Sequence, residues 1–212
     1  MSDWLQAIDL NHITLFCQDW GGVIGMSLIT EHPERFDRVI ASNTGLPSGK
    51  GGNRWLSIWL FIMNYLPSFP WKIAFRRSIL APDFSVAEFD AYRKAPYPKR
   101  AYQAGIRQFP QLIAIYPDNP GVAQNKAIWE KLKTFDKPFL TLFGNKDPVS
   151  RGFEKVFQKH VPGAQGQDHQ IIDGGGHFIQ EDKPEELVEH ITAFLEQQPR
   201  SQEHKFKQES ES

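Results

Sequence analysis

The stretch Ile13-Thr14-Leu15-Phe16-Cys17 is an apolar run that passes through Gln18-Asp19-Trp20-Gly21-Gly22 into a helix-patterned segment. A strand that turns sharply into a helix strains the residue at the corner, and small residues two before and two after it relieve the crowding. Cys17 and Gly21 occupy those two positions around Asp19. The pattern predicts an elbow that presents a carboxylate at its tip, where a nucleophile is held. Asp19 taken alone equally suits the N-cap of the helix that follows, because Asp accepts hydrogen bonds from first-turn N–H groups. What lies downstream decides between the two.

Pro138-Phe139-Leu140-Thr141-Leu142-Phe143 reads as a second buried strand and runs into Gly144-Asn145-Lys146-Asp147-Pro148, which sets a carboxylate just past the strand end. Gly174-Gly175-Gly176-His177-Phe178 follows the strand-like Gln170-Ile171-Ile172 and precedes a helix opening near Asp182, with Pro184 in its first turn. Each piece alone is weak, since a His after glycines or an Asp before Pro is common in loops. Together they give nucleophile, acid and histidine in the chain order of α/β hydrolases, each past a strand.

The chain resembles the haloalkane dehalogenases of the α/β-hydrolase superfamily, in the subfamily with a two-tryptophan halide site. The resemblance rests on Cys17-Gln18-Asp19-Trp20-Gly21-Gly22, on Trp59 through Pro67-Ser68-Phe69-Pro70, and on Ala91-Tyr92 with Ala95-Pro96-Tyr97-Pro98. It rests equally on Tyr102 through Pro110 and on Gly176-His177-Phe178-Ile179-Gln180-Glu181, and so covers nearly all of residues 1–198. It implies an α/β fold: the C-terminal part of an α/β-hydrolase domain, a parallel sheet flanked by helices, with a helical cap inserted. Relatives carry a long segment before the elbow, so the resemblance implies an N-terminally truncated form whose elbow strand has an unpaired edge. It also implies that one backbone donor for the oxyanion is lost with that segment, a change worth on the order of 10²–10³ in rate.

The chemistry implied is hydrolysis of 1-haloalkanes. A carbon–halogen bond has no carbonyl to polarise, so it needs an in-line nucleophile and help for the departing anion. Asp19 would displace halide to form an alkyl ester, and His177 would then activate the water that hydrolyses it. Asp147 would orient His177 and stabilise the imidazolium. An indole N–H is a rigid, neutral donor, and the resemblance puts Trp20 and Trp59 at the halide, with Trp55 the rival for Trp59. Trp4, Trp71 and Trp129 read as packing residues, and Phe61, Phe109 and Phe178 read as pocket wall or core. Two alternatives stay open: an epoxide hydrolase or other Asp-nucleophile hydrolase, which would draw cap tyrosines from Tyr65, Tyr92, Tyr97, Tyr102 and Tyr116, and a catalytically impaired fragment. Gln18 before the nucleophile favours the dehalogenase.

Organisation and composition fit this reading. Residues 1–46 read as core with the elbow, 47–120 as helical cap, 121–198 as core with the acid and histidine loops, and 199–212 as a polar disordered tail. The cap span is aromatic and punctuated by prolines, which predicts several short helices without strand period. Helices are also predicted over residues 22–31, 122–132, 151–160 and 184–196. A net charge of −1 gives no pull towards nucleic acid or an anionic membrane, and no apolar run reaches the about 18 residues of a membrane span. The single cysteine, Cys17, excludes an internal disulfide. No metal cluster, phosphate loop or dinucleotide fingerprint is present in the sequence, so no cofactor is expected. The expected partners are a small apolar halogenated substrate and water, with self-association through the open sheet edge and a cytoplasmic setting.

Overall fold

The computed structural model describes residues 1–51, 57–58, 60–61, 78–81, 85–94 and 102–197. Within them, parallel strands β1 (Ile13–Gln18), β2 (Phe36–Ser42), β3 (Phe139–Gly144) and β4 (Gln170–Ile172) form one sheet in the order β1-β2-β3-β4. Parallel neighbours need a crossover, and helices supply it. Helix α1 (Ser2–Ala7) precedes β1, and α2 (Trp20–Glu31) links β1 to β2. Between β2 and β3 come α3 (Val86–Lys94), α4 (Ala104–Gln108) and α5 (Val122–Leu132). Helix α6 (Phe153–His160) leads to β4, and α7 (Ile179–Asp182) and α8 (Pro184–Gln197) close the described chain. No described helix is long and apolar enough to cross a membrane.

The apolar runs of β2 and β3 exist because helices cover both faces of the sheet. Successive side chains alternate faces. Val39, Ala41, Phe139 and Phe143 enter one core with Met26, Ile29, Leu132 and Phe157. Ile40, Leu140 and Leu142 enter the other with Ile172, Ile179, Leu187 and Phe194. Each such Leu, Ile or Phe stabilises the fold by about 1.5–3 kcal/mol through burial. Strand β1 differs: it pairs with β2 on one side and with no described strand on the other, and Phe16 is 40% exposed.

Register brings the strand ends together. Gln18 pairs with Ser42, Ser42 with Leu142, and Gly144 with Ile172. The loops that follow the strands therefore leave one edge of the sheet, where α/β folds build their sites.

Several elements depart from the sequence reading at their ends. Helix α2 begins at Trp20 rather than near Gly22, because the backbone turns at Asp19 itself. Helix α6 starts at Phe153 rather than Arg151, since Gly152 sits at φ 101°, outside the helical region. Trp4 is 53% exposed rather than packed, and Phe61 (63%) and Phe109 (50%) are surface residues rather than core. Much of the span read as cap, together with the tail at 199–212, lies outside the described residues.

Candidate active site

Asp19 sits at φ 48°, ψ −124°, between the last residue of β1 and the first of α2. A non-glycine residue held there stores backbone strain, which persists only where the surroundings fix it. Three bonds do so: the Asp19 N–H donates to the Asn43 carbonyl at 3.1 Å, and the Asp19 carbonyl accepts from the Gly22 N–H at 3.0 Å and from Thr44 Oγ1 at 2.7 Å. Although Asp19 occupies the N-cap position, its side chain makes no capping hydrogen bond. Oδ1 instead faces His177 Nε2 at 3.6 Å.

The glycine that the elbow demands is Gly22. A Cβ there would lie 1.8 Å from Thr44 Oγ1, whereas a Cβ on Gly21 would meet nothing within 4 Å. Gly25, one turn on, brings α2 against Leu15 and Cys17, whose atoms would stand 2.9 and 3.4 Å from an added Cβ. The expectation that Gly21 relieves crowding is thus corrected: the crowding falls one residue later. Cys17 is buried and its Sγ contacts the Ile40 carbonyl at 3.7 Å. Burial pushes its thiol up to about 12, so it is no rival nucleophile at neutral pH.

Asp147 hangs from the loop after β3 with its side chain fully buried. Oδ1 accepts from the Val149 N–H at 2.8 Å, and Oδ2 accepts from the Ser150 N–H and hydroxyl. Oδ2 also lies 3.2 Å from His177 Nδ1. Burial raises its pKa, but the bond and charge of His177, with the Ser150 and Val149 donors, prevail and hold the carboxyl below its ordinary 3.8. The acid loop is pinned to the histidine loop by Lys146 N–H to Gly175 O at 2.9 Å and Gly174 N–H to Asn145 Oδ1 at 2.9 Å. The two chains approach so closely that a Cβ on Gly144 would stand 2.2 Å from the Gly175 oxygen.

His177 is held between the two carboxylates. Burial alone would lower its pKa, but the bond to Asp147 and the facing Asp19 carboxylate outweigh it and push the imidazole up to about 10. Nδ1 faces a carboxylate that can only accept, so Nδ1 carries a proton and Nε2 is the atom that exchanges one. Phe178 packs edge-on against the ring, with centroids 5.4 Å apart.

Beside Asp19 and Trp20 lies a cavity of about 480 Å³ with a mainly apolar wall that includes Val23, Ile24, Leu28, Leu112, Ile128 and Phe153. Trp20 stands at its edge with Phe109 against it in a T-shaped contact at 5.4 Å. Asp19 therefore faces both the cavity and His177 Nε2. Trp59 and its rival Trp55 lie outside the described residues, as does Trp71. Trp129 packs as expected, stacked on Phe157 at 5.4 Å with its Nε1–H donating to the Leu46 carbonyl at 2.8 Å. Asn43, Thr44 and Ser150 were not singled out in the sequence. Ser150, three residues after Asp147, had the spacing of a local side-chain turn. Asn43-Thr44 had only the signal of polar residues just past the apolar run Val39-Ile40-Ala41.

The profile of the α/β hydrolase fold family matches residues 2–184. The chain is 41% identical over 207 residues to a haloalkane dehalogenase of Psychrobacter cryohalolentis, covering 93% of this chain and 66% of that one. It is 36% identical over 204 residues to haloalkane dehalogenase 1 of Mycobacterium bovis, covering 92% and 64%. The chain thus spans about two thirds of the length of these curated relatives. Among solved structures it is similar to the haloalkane dehalogenase DpaA from Paraglaciecola agarilytica NO2, with a TM-score of 0.75 at 24% identity over 88% of this chain and 60% of that one. A parallel sheet with three converging loops and a profile match over most of its length make this chain a member of the α/β hydrolase fold family.

Proposed function

We propose that the site hydrolyses haloalkanes to alcohol and halide through an ester on Asp19. The observation that carries this reading is the double aspect of Asp19, a carboxylate on a strained elbow that lines an apolar cavity with Trp20 and faces His177 on another side. Similarity to curated haloalkane dehalogenases supports it.

In the proposed reaction a carboxylate oxygen of Asp19 attacks the carbon bearing halogen, the carbon–halogen bond breaks, and halide leaves with the bonding pair. The indole N–H of Trp20 donates to that anion, and Trp59 supplies the second donor. Water then adds to the ester carbonyl carbon and gives its proton to His177 Nε2. The oxyanion forms beside the start of α2, where the Trp20 N–H is among the unpaired donors of the first turn. Collapse expels the alkoxide, which takes the proton back as alcohol, and the Asp19 carboxylic acid releases one proton. The balance is haloalkane plus water giving alcohol, halide and a proton, with no cofactor required.

Asp147 keeps His177 in the Nδ1–H form throughout. Ester formation removes the Asp19 charge that helps hold the imidazole protonated, so the first half-reaction prepares the base for the second. The substrate class is small, apolar and halogenated, matching a cavity wall that is mostly hydrocarbon. The open edge of β1 is proposed as a self-association surface.

The test is halide release from a primary bromoalkane, followed with a pH indicator, beside an Asp19→Ala control. Release that disappears in the control supports the reading; release that persists in it, or none from the folded unaltered chain, overturns it.

A further inference from the structure

Asn43 touches all three loops of the site. It follows β2, is completely buried, and holds φ at 38°, a left-handed value that Asn tolerates better than most residues. Its backbone carbonyl accepts the Asp19 N–H at 3.1 Å. Its side-chain Oδ1 accepts the Gly144 N–H at 2.8 Å, at the end of the acid strand. Its Nδ2 donates to the carbonyls of Gly176 at 2.6 Å and His177 at 3.2 Å. Gln18, next to Asp19, donates a second amide proton to the same His177 carbonyl at 2.9 Å.

The partners dictate the chemistry of the side chain. Two carbonyls on one side need a donor with two hydrogens, and an N–H on the other needs an acceptor, which a carboxamide alone provides at this length. An apolar residue would leave buried polar groups unpaired, and a carboxylate would face two carbonyl oxygens. The elbow hangs from the backbone of residue 43, which substitutions keep. The histidine loop hangs from its side chain, which substitutions remove.

Resting on the two-step reading above, we propose that Asn43 is a positioning residue for the ester-hydrolysis half of the reaction, seconded by Gln18, setting the reach of His177 towards the Asp19 ester. Ester formation, which needs Asp19 and the cavity, does not depend on this hold. Ester hydrolysis does, because a shift of about 1 Å in a reacting group can cost roughly 10²-fold.

The experiment compares the unaltered chain with Asn43→Ala and Gln18→Met by rapid-mix bromide release from a primary bromoalkane, intact mass, and the downfield proton resonance of His177 Nδ1–H. Asn43→Ala is expected to keep a burst of about one halide per chain, to slow the steady phase roughly 10²-fold, to accumulate the alkyl adduct, and to broaden the resonance. Gln18→Met is expected to show the same signature more weakly. Burst and steady rate falling together without adduct, or both staying unchanged with the resonance intact, would overturn the proposal. If Asn43→Ala does not fold, the same outcomes are read on Gln18→Met alone. If the unaltered chain releases no halide, the dehalogenase reading fails by itself. The resonance then decides the positioning role without substrate: broadened in a folded variant supports it, retained overturns it.

Discussion

Nε2 of His177 stands 3.6 Å from Oδ1 of Asp19, longer than a hydrogen bond and too near for a water to come between. The contact is one of charge. With Asp147 on the other nitrogen, it leaves the imidazole flanked by two carboxylates.

The first prediction concerns that charge. His177 titrates near 10 in the resting site, so the resting imidazole is protonated at neutral pH. Asp19→Asn removes one carboxylate and mimics the neutral ester, and the midpoint of His177 followed by NMR is expected to fall. A midpoint unchanged in the variant would mean that Asp147 alone sets it.

A second titration works in the opposite sense. His169 accepts the Thr141 N–H on Nδ1 at 3.0 Å and places Nε2 2.9 Å from the Ala164 carbonyl, which fixes the neutral Nε2–H form. Burial lowers its pKa below the ordinary 6.5, with partial opposition from the Ala164 bond and Asp168. The unfolded chain therefore takes up a proton that the folded chain refuses. This share of stability is complete above pH 6.5 and declines as pH falls through the folded value. His169→Gln, which can accept and donate at similar places, is expected to flatten the fall in Tm as pH drops below 6.5. Parallel Tm curves for the two proteins would rule the contribution out.

Neighbouring glycines of the elbow should behave differently. Gly22→Ala puts a Cβ 1.8 Å from Thr44 Oγ1 and should cost about 1–3 kcal/mol while displacing Asp19, with a matching loss of halide release. Gly21→Ala meets nothing within 4 Å and should raise stability by about 0.5–1 kcal/mol, since Ala suits a helix better. Thermal melts of the two variants make the check, and equal losses would contradict the account of the turn.

The sheet was legible because buried parallel strands are written as largely apolar runs: Ile13-Thr14-Leu15-Phe16-Cys17 and Phe139-Leu140-Thr141-Leu142-Phe143 each run into polar and glycine breaks. Asp19, Asp147 and His177 were legible because each follows such a run, and the structure brings them within 3.6 Å of their neighbours in the chain of contacts. Asn43 and Thr44 were not, because their partners are backbone atoms on loops more than a hundred residues distant or on the elbow, and backbone atoms leave no mark in a sequence. The placing of tightness at Gly21 failed for a different reason: the Thr44 side chain that fills the space beside Gly22 comes from the end of another strand, and sequence spacing along the elbow does not show it.

The exposed edge of β1 yields a further prediction. Phe16 is 40% exposed on a strand that has one free side among the described residues. The chain is expected to associate with concentration in sedimentation, and Phe16→Lys, a charge on an open edge, is expected to shift it towards monomer. A clean monomer with a cooperative melt for the unaltered chain would contradict this.

The central claim is an ester on Asp19 that His177 must clear. Intact mass of His177→Phe after exposure to a primary bromoalkane tests it directly, with peptide mapping to locate the adduct. The account predicts a mass gain of one alkyl group on Asp19, absent when Asp19→Asn is added. Bromide release with the protein mass unchanged, or an adduct carried by any other residue, would contradict it.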